Sequence, residues 1–309
     1  MATTLGSQLI EGLARGSPTF VTLPGGGQAR IFWVTLEGPI GAGKTELFKV
    51  LSPKLEEHFG KNRIFFVPEP IDELMSSGLF QDYQRDPNRH AFEFQVTFFD
   101  KRTDYFRAAY GSMLRVLAST RVPQDDEASG CKTAIMLSER SIVSDTCFMH
   151  VQAECGHVSR DSLGRYLNIN TKWRELYHGM APGLIVYCRA GTETASIVDL
   201  CQQRIRERKR EAEEDLVTPE YNALVLQEHD RLFMGSGQAG FVVRGFGRHA
   251  PITIPVVVVD TTENYRDDAR VAMKKSGELL DHIRASLPPI EVAYASLQPS
   301  WTLIDTHTK

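Results

Sequence analysis

The sequence predicts an α/β fold in which a five-stranded parallel sheet is covered by helices on both faces. Two observations carry that expectation. Short, nearly continuous apolar runs recur at residues 31–36, 64–67, 133–137, 184–187 and 254–259, and helical patterns separate them, the longest at 91–117 and 267–283. Strands buried on both sides read as unbroken apolar runs, and alternation of such strands with helices indicates parallel crossovers. No linker interrupts the alternation, so one α/β domain is expected over residues 31–284. It lies between a solvated leader at 1–30, rich in Thr, Ser and Gly, and an irregular tail at 285–309. The polar, acidic stretch 124–130 reads as a surface loop, and the stretch 236–250, with four glycines, as a loop or a poorly ordered insertion.

Bulk properties exclude several roles. A net charge of -4 and a pI near 6.2 argue against a general nucleic-acid or membrane-surface binder. No apolar run approaches the roughly 18 residues that a bilayer span requires. Cys131, Cys147, Cys155, Cys188 and Cys201 are odd in number and scattered, with no CxxC, as for free thiols in a reducing compartment. A cytoplasmic location follows, or a mitochondrial one if the leader acts as a transit peptide, for which Arg15 and Arg30 supply little charge.

The first strand runs into Gly38-Pro39-Ile40-Gly41-Ala42-Gly43-Lys44-Thr45, a full GxxxxGK[ST] motif followed by a predicted helix. Glycines there let backbone N–H groups curl around phosphate oxygens at a helix N-terminus. Lys44 would reach the β- and γ-phosphates, and the Thr45 hydroxyl would ligate Mg²⁺. A nucleoside triphosphate is implied, though not what is done with it.

Carboxylates follow two other strands. Glu69, in Pro68-Glu69-Pro70, comes straight after the second strand. Strand C-termini line the ligand crevice of a parallel sheet, so Glu69 either accepts the proton of an attacking hydroxyl or is a solvated turn acid. The 133–137 strand leads into Ser138-Glu139-Arg140-Ser141. Glu139 there suits Mg²⁺ and Arg140 a transferring phosphoryl group, against a plain strand-end ion pair. Asp145 caps the next helix or points into an acceptor site.

Phe92, Gln95, Phe99, Arg102 and Phe106 recur at intervals of three and four and share one helix face. Polar groups within an aromatic stripe are costly to bury unpartnered. The stripe therefore either lines a cavity for a flat polar ligand, with Gln95 reading its edge, or leaves Gln95 and Arg102 in solvent. Arg204, Arg206, Arg208, Lys209 and Arg210 precede Glu211, Glu213, Glu214 and Asp215. At helical pitch Arg204 and Arg208 share a face, with Arg206 and Arg210 nearly opposite. The run is a solvated, ion-paired helix or a lid whose arginines close over phosphates. Cys147, His150, Cys155 and His157 match no common zinc spacing, and no NKxD accompanies the DxxG at Asp161.

In this order the pieces resemble the deoxynucleoside kinase family, over about residues 31 to 283. The resemblance implies a P-loop kinase fold with an arginine-rich lid, and ATP- and Mg²⁺-dependent phosphorylation of a deoxynucleoside 5′-hydroxyl. It implies Glu69 as general base, with Arg140 and Lys44 beside it. Gly38, Gly41, Ala42, Gly43, Lys44 and Thr45 would hold the donor phosphates, with lid arginines Arg204, Arg208 and Arg210. Thr45 and Glu139 would hold the metal. Phe94 and Gln95 would stack on and read the base, and Tyr83 and Glu213 would bind the sugar 3′-hydroxyl. The stretch from Val259 to Tyr265 looks like the family's adenine-contacting loop. The pair Arg102 and Asp145 is similar to that of relatives preferring deoxycytidine or purine deoxynucleosides over thymidine. A homodimer is implied, with no nucleic-acid or membrane partner. The chain departs from the family pattern at Leu74, Phe98 and Met149 and in a longer segment before Arg204.

Overall fold

The computed structural model describes residues 19–23, 28–120, 131–176, 181–210, 213–235, 240–243, 252–263 and 265–287. Most of the leader, the 124–130 loop and the tail beyond residue 287 lie outside the described residues. In chain order the elements are β1 (Thr19–Thr22), β2 (Gln28–Glu37), α1 (Lys44–Phe59), β3 (Ile64–Val67), α2 (Ile71–Ser76), α3 (Leu79–Arg85) and α4 (Pro87–Ser119). Then come β4 (Cys131–Glu139), α5 (Asp145–Glu154), α6 (Arg160–Leu176), β5 (Leu184–Arg189), α7 (Thr194–Arg208), α8 (Glu213–Leu216) and α9 (Pro219–Phe233). The described chain ends with β6 (Gly240–Val243), β7 (Ile252–Asp260) and α10 (Ala269–Ser286).

All five expected strands form one parallel sheet in the order β3-β4-β2-β5-β7. From β2 the chain crosses outward to β3, returns to β4, and then passes to the other side for β5. The connections diverge at the C-terminal end of β2, and such a switch point opens a crevice above the sheet.

Two short strands were not foreseen. β1 pairs antiparallel with the start of β2, and β6 pairs antiparallel with the start of β7. Both correct the loop readings of those stretches. Thr-Phe-Val-Thr and Gly-Phe-Val-Val are β-branched and aromatic but only four residues long, too short to show a period, and each satisfies strand backbone that would otherwise be open. Helix α4 begins four residues earlier than its apolar pattern, because Asp86 caps it by accepting from the Arg89 N–H at 3.2 Å and Pro87 occupies the first turn.

Alternate strand residues feed opposite layers. Phe32, Val34, Leu36, Ile135 and Leu137 pack with Leu47, Leu51 and Leu55 of α1, Ile197 and Cys201 of α7, and Leu279 and Ile283 of α10. Ile31, Trp33, Ala134 and Met136 pack with Phe106, Met113 and Leu117 of α4. Among the described residues no helix is long and apolar enough to cross a membrane.

Leu51 is fully buried beneath α1, whereas Met273 on α10 is 63% exposed. Leu51→Ala is expected to cost ~2–5 kcal/mol in chemical denaturation through the cavity it leaves, and Met273→Ala less than ~0.5 kcal/mol. Equal losses would show that the α1 face is not the core.

Candidate active site

The glycine-rich loop leaves β2 and turns into α1 with Gly41 and Gly43 at φ of 83° and 84°. Only glycine adopts such angles without strain. A Cβ on Gly41 would also sit 2.5 Å from the Cys201 carbonyl oxygen, so the loop packs directly against α7. Asn222 of α9 donates to the Ile40 carbonyl at 3.0 Å and fixes the loop from the other side. Lys44 is folded back onto its own loop, donating to the Gly38 and Pro39 carbonyls at 3.1 and 2.7 Å. Burial and the nearby Arg140 charge lower its pKa to about 8.

Two strand ends deliver the other charges. Glu69, two residues beyond β3, accepts from Arg140 Nε at 3.0 Å and from Arg102 Nη2 at 3.3 Å. Burial raises its pKa, but Arg140, Arg102 and Lys44 outweigh burial and hold it at about 2. Glu139 ends β4 and accepts from the Thr45 hydroxyl at 2.7 Å. Its carboxyl is pushed up, first by burial and then by the Glu69 charge. Arg140 follows at φ 66°, with its N–H on the Leu36 carbonyl at 2.9 Å. That left-handed turn is rare outside glycine and aims the guanidinium back across the strand ends.

Asp145 opens α5 and pairs with Arg102, whose Nε lies 3.0 Å from both carboxylate oxygens. Burial raises the Asp145 pKa against the opposing pull of Arg102. Of the two readings of Asp145, the side chain serves the ion pair, and Ser144 stands at the cap position.

The aromatic stripe divides. Phe99 packs edge-on to Tyr166 and Phe106 packs on Trp33, both in the core, while Phe92 is half-buried against it. That corrects the expectation that those phenylalanines stack on a ligand. The cleft is lined instead by Phe94, Gln95, Phe98 and Arg102, one helical turn face over. Phe94 stacks on Tyr83, with centroids 4.7 Å apart and planes at 6°. Phe98 lies under the Arg102 guanidinium at 4.9 Å. Gln95 is 7% exposed and has no hydrogen-bond partner among the described residues. Tyr83 shares Gln152 Nε2 with Tyr221, at 2.5 and 3.1 Å. Met149 and Leu74 are buried and do not line the cleft.

The basic run is not one helix. α7 ends at Arg208, and Lys209 turns left-handed at φ 50°. Arg210 therefore does not lie opposite Arg208, as helical pitch implied. Both reach Glu213, at 2.5 Å from Arg208 and 3.9 Å from Arg210. Arg204 donates to the Thr261 and Thr262 carbonyls at 2.6 and 3.2 Å, in the loop after β7. Arg204 Nη1, Arg208 Nε and Glu213 Oε2 are buried without a partner among the described residues. All three residues line the cleft.

A single hollow of about 570 Å³ brings these groups together. Gly41, Lys44, Thr45, Glu69, Tyr83, Phe94, Gln95, Glu139, Arg140, Asp145, Arg204, Arg208, Arg210, Glu213 and Tyr265 all contribute to its wall. Gly38 and Ala42 belong to the loop beneath. Sequence reasoning missed Phe148, whose face carries Arg140 at 4.7 Å, and Tyr221. It also missed Glu37, fully buried at the end of β2, where it accepts from Thr35 Oγ1 at 3.0 Å. Burial pushes the Glu37 carboxyl up. An acid ending an otherwise apolar strand directly before a phosphate loop was the available signal for it.

The deoxynucleoside kinase family model matches residues 34–285. The chain belongs to the deoxynucleoside kinase family. It is a nucleotide-binding kinase of nucleoside salvage, with the P-loop kinase fold. Among curated relatives it is 24% identical over 237 residues to a probable deoxycytidine kinase of fowlpox virus, covering 76% of this chain and 81% of the relative. Among solved structures it is similar to the deoxyadenosine kinase of M. mycoides, described once with dCMP and a flexible dCDP bound and once with dCTP bound. In both cases the TM-score is 0.53 at 16% identity, over 80% of this kinase and 100% of the other chain. At that identity the likeness establishes the fold.

The Glu69 value has a measurable consequence. Because it lies below the ordinary 4.5, ionised Glu69 favours the folded kinase above about pH 4.5, and that contribution is lost as pH falls toward about 2. A ¹³C titration of the carboxyl groups, with Glu69→Gln identifying the resonance, is expected to show it ionised throughout pH 4–7. A midpoint at or above 4.5 contradicts the two-arginine clamp.

Proposed function

We propose that the kinase transfers the γ-phosphate of ATP to the 5′-hydroxyl of a deoxynucleoside, with Glu69 as the base that orients and receives the hydroxyl proton. The observation that carries this reading is convergence: the phosphate loop and the Glu69 carboxylate face one cleft, whose wall also holds the Gln95 amide, without a hydrogen-bond partner among the described residues. An amide offers a donor and an acceptor together, which suits a nucleobase edge, and the parallel Phe94 and Tyr83 rings supply flat walls.

The donor phosphates are read as lying over Gly38–Thr45, where Lys44 exchanges its loop carbonyls for phosphate oxygens. Arg208 and Arg210 then leave Glu213 for the γ-phosphate, and Glu213 turns to the sugar 3′-hydroxyl shared with Tyr83. The buried unpaired atoms of Arg204, Arg208 and Glu213 support this, since such atoms are stabilised once a ligand supplies partners. Arg204, bound to the backbone of the loop after β7, is read as lying beside the donor base as well as the phosphates.

Thr45 and Glu139 present hard oxygen donors in mutual contact beside the loop, a set that fits Mg²⁺. Bound there, the ion would neutralise charge on the β- and γ-phosphates. Arg140 bears charge on the acceptor side. A homodimer belongs to the same reading.

Arg102 and Asp145 line the cleft, and their part of it is read as the base end. An exocyclic amino group can donate to Asp145, whereas thymine offers a keto oxygen and a methyl group. We therefore place deoxycytidine or a purine deoxynucleoside ahead of thymidine.

Two measurements test the proposal. Glu69→Gln is expected to lower kcat by ~10²–10⁴-fold with ATP binding retained, as loss of a general base does; unchanged turnover removes Glu69 from the chemistry. In a steady-state panel of the four deoxynucleosides with ATP, thymidine is expected to have the lowest kcat/KM. A thymidine winner overturns the role given to Arg102 and Asp145.

A further inference from the structure

We propose that His229 is the positioning residue for Arg140, accepting a hydrogen bond from its Nη1 through an unprotonated Nε2 and so holding the guanidinium in its transfer-ready direction. His229 lies on α9, outside every motif singled out in the sequence, and is fully buried. Its Nδ1 is 2.7 Å from the Val225 carbonyl, one turn back on the same helix. A carbonyl only accepts, so Nδ1 carries the hydrogen and, in the neutral ring, Nε2 is bare. Arg140 Nη1 is 3.2 Å from that Nε2, and a guanidinium only donates. The two ends of the imidazole are thus matched to different partners, and only one tautomer satisfies both.

The surroundings hold that arrangement. Burial, followed by the Arg140 charge, keeps the imidazole proton affinity well below the ordinary value. The Phe148 ring meets His229 edge-on at 5.8 Å while its face carries Arg140, and Tyr187 stacks along the imidazole at 6.5 Å and 11°. Rotation of either partner would therefore disturb three rings. Arg140 itself leaves β4 in a left-handed turn and is committed through Nε to Glu69. The Glu69 contact alone leaves the guanidinium free to turn about that bond. His229 fixes the second nitrogen, and two fixed nitrogens define the plane of a guanidinium. An ordinary buried histidine would satisfy its ring within the core; this one has its second nitrogen on a residue of the cleft wall.

The inference rests on the role given to Arg140 above, and the test separates the two. His229→Leu, which removes the acceptor, is expected to lower kcat ~tenfold or more while the KM values for ATP and deoxynucleoside stay within ~twofold. His229→Gln, which offers an amide oxygen at similar reach, is expected to recover most of that loss. In an Arg140→Ala background His229→Leu is expected to add no further loss, because its effect passes through Arg140. ¹⁵N spectra of the full chain at pH 7 read the ring directly and are expected to show Nδ1 protonated and Nε2 bare. Wild-type kcat in a folded His229→Leu, no rescue by Gln, independent additive losses, or an Nε2–H ring each overturns the positioning role alone. An unchanged kcat in Arg140→Ala overturns both that role and the one given to Arg140.

Discussion

Glu69 shared between Arg140 and Arg102 is the contact on which the rest of the cleft depends. One carboxylate joins the Arg140 guanidinium to the Arg102 guanidinium. Around it, Glu139 and Asp145 face Lys44 and the same two arginines, so three acids lie against three bases in a buried cluster on the cleft wall. Taking ions out of water costs several kcal/mol each, which excellent geometry and complete pairing must offset. The sheet makes that geometry possible, because β2, β3 and β4 end at one level and place their terminal residues side by side. Removing any one charge leaves another uncompensated, so the cluster acts as a unit.

The cleft also stores unspent interactions. A residue at φ 66° and buried lid atoms without partners among the described residues are each unfavourable, and Lys44 spends its hydrogen bonds on its own loop. The strained Arg140 turn is tolerated because the surrounding core over-determines it. Leu36, whose carbonyl receives the Arg140 N–H, is itself buried between α1 and the neighbouring strands. The lid differs in kind. Its arginines are held by Glu213 and by loop carbonyls rather than by apolar packing, so they can exchange partners at small cost when phosphate oxygens arrive.

Features encoded locally were legible in the sequence, and features made by tertiary contact were not. The phosphate loop is contiguous, its glycines are demanded by backbone angles, and its position after β2 follows from the motif. Glu69 and Glu139 could be placed because strand ends in a parallel sheet share one edge. The aromatic stripe was misassigned in part, since a long helix touching both core and cleft has one period but two apolar faces, and residue spacing does not distinguish Phe94 from Phe99. Arg210 was misplaced because nothing in a run of charged residues marks Lys209 as the left-handed residue that ends α7. His229 and Phe148 could not be found at all, since their link to Arg140 is a contact across the fold without a local pattern. β1 and β6 were missed because four-residue strands derive their stability from the partner they pair with.

A carboxylate held at about 2 is a poor base in the ground state, which bears on how Glu69 can act in the proposed transfer. Its proton affinity is suppressed by Arg140 and Arg102, and a 5′-hydroxyl entering between Glu69 and Arg140 would compete for the same oxygen. As that hydroxyl takes the place of Arg140 Nε on the Glu69 oxygen and the γ-phosphate meets the guanidinium where His229 holds it, one suppressing charge is shared with the phosphate and the carboxylate becomes more basic. Phosphoryl transfer through a loose transition state needs little proton abstraction before the P–O bond is well advanced. Glu69 can therefore orient the hydroxyl early and take the proton late, when the oxygen has become acidic. On this reading the low ground-state value is a condition of the mechanism: it keeps Glu69 ionised and aligned in the empty cleft, and substrate binding restores the basicity that the arginines had suppressed.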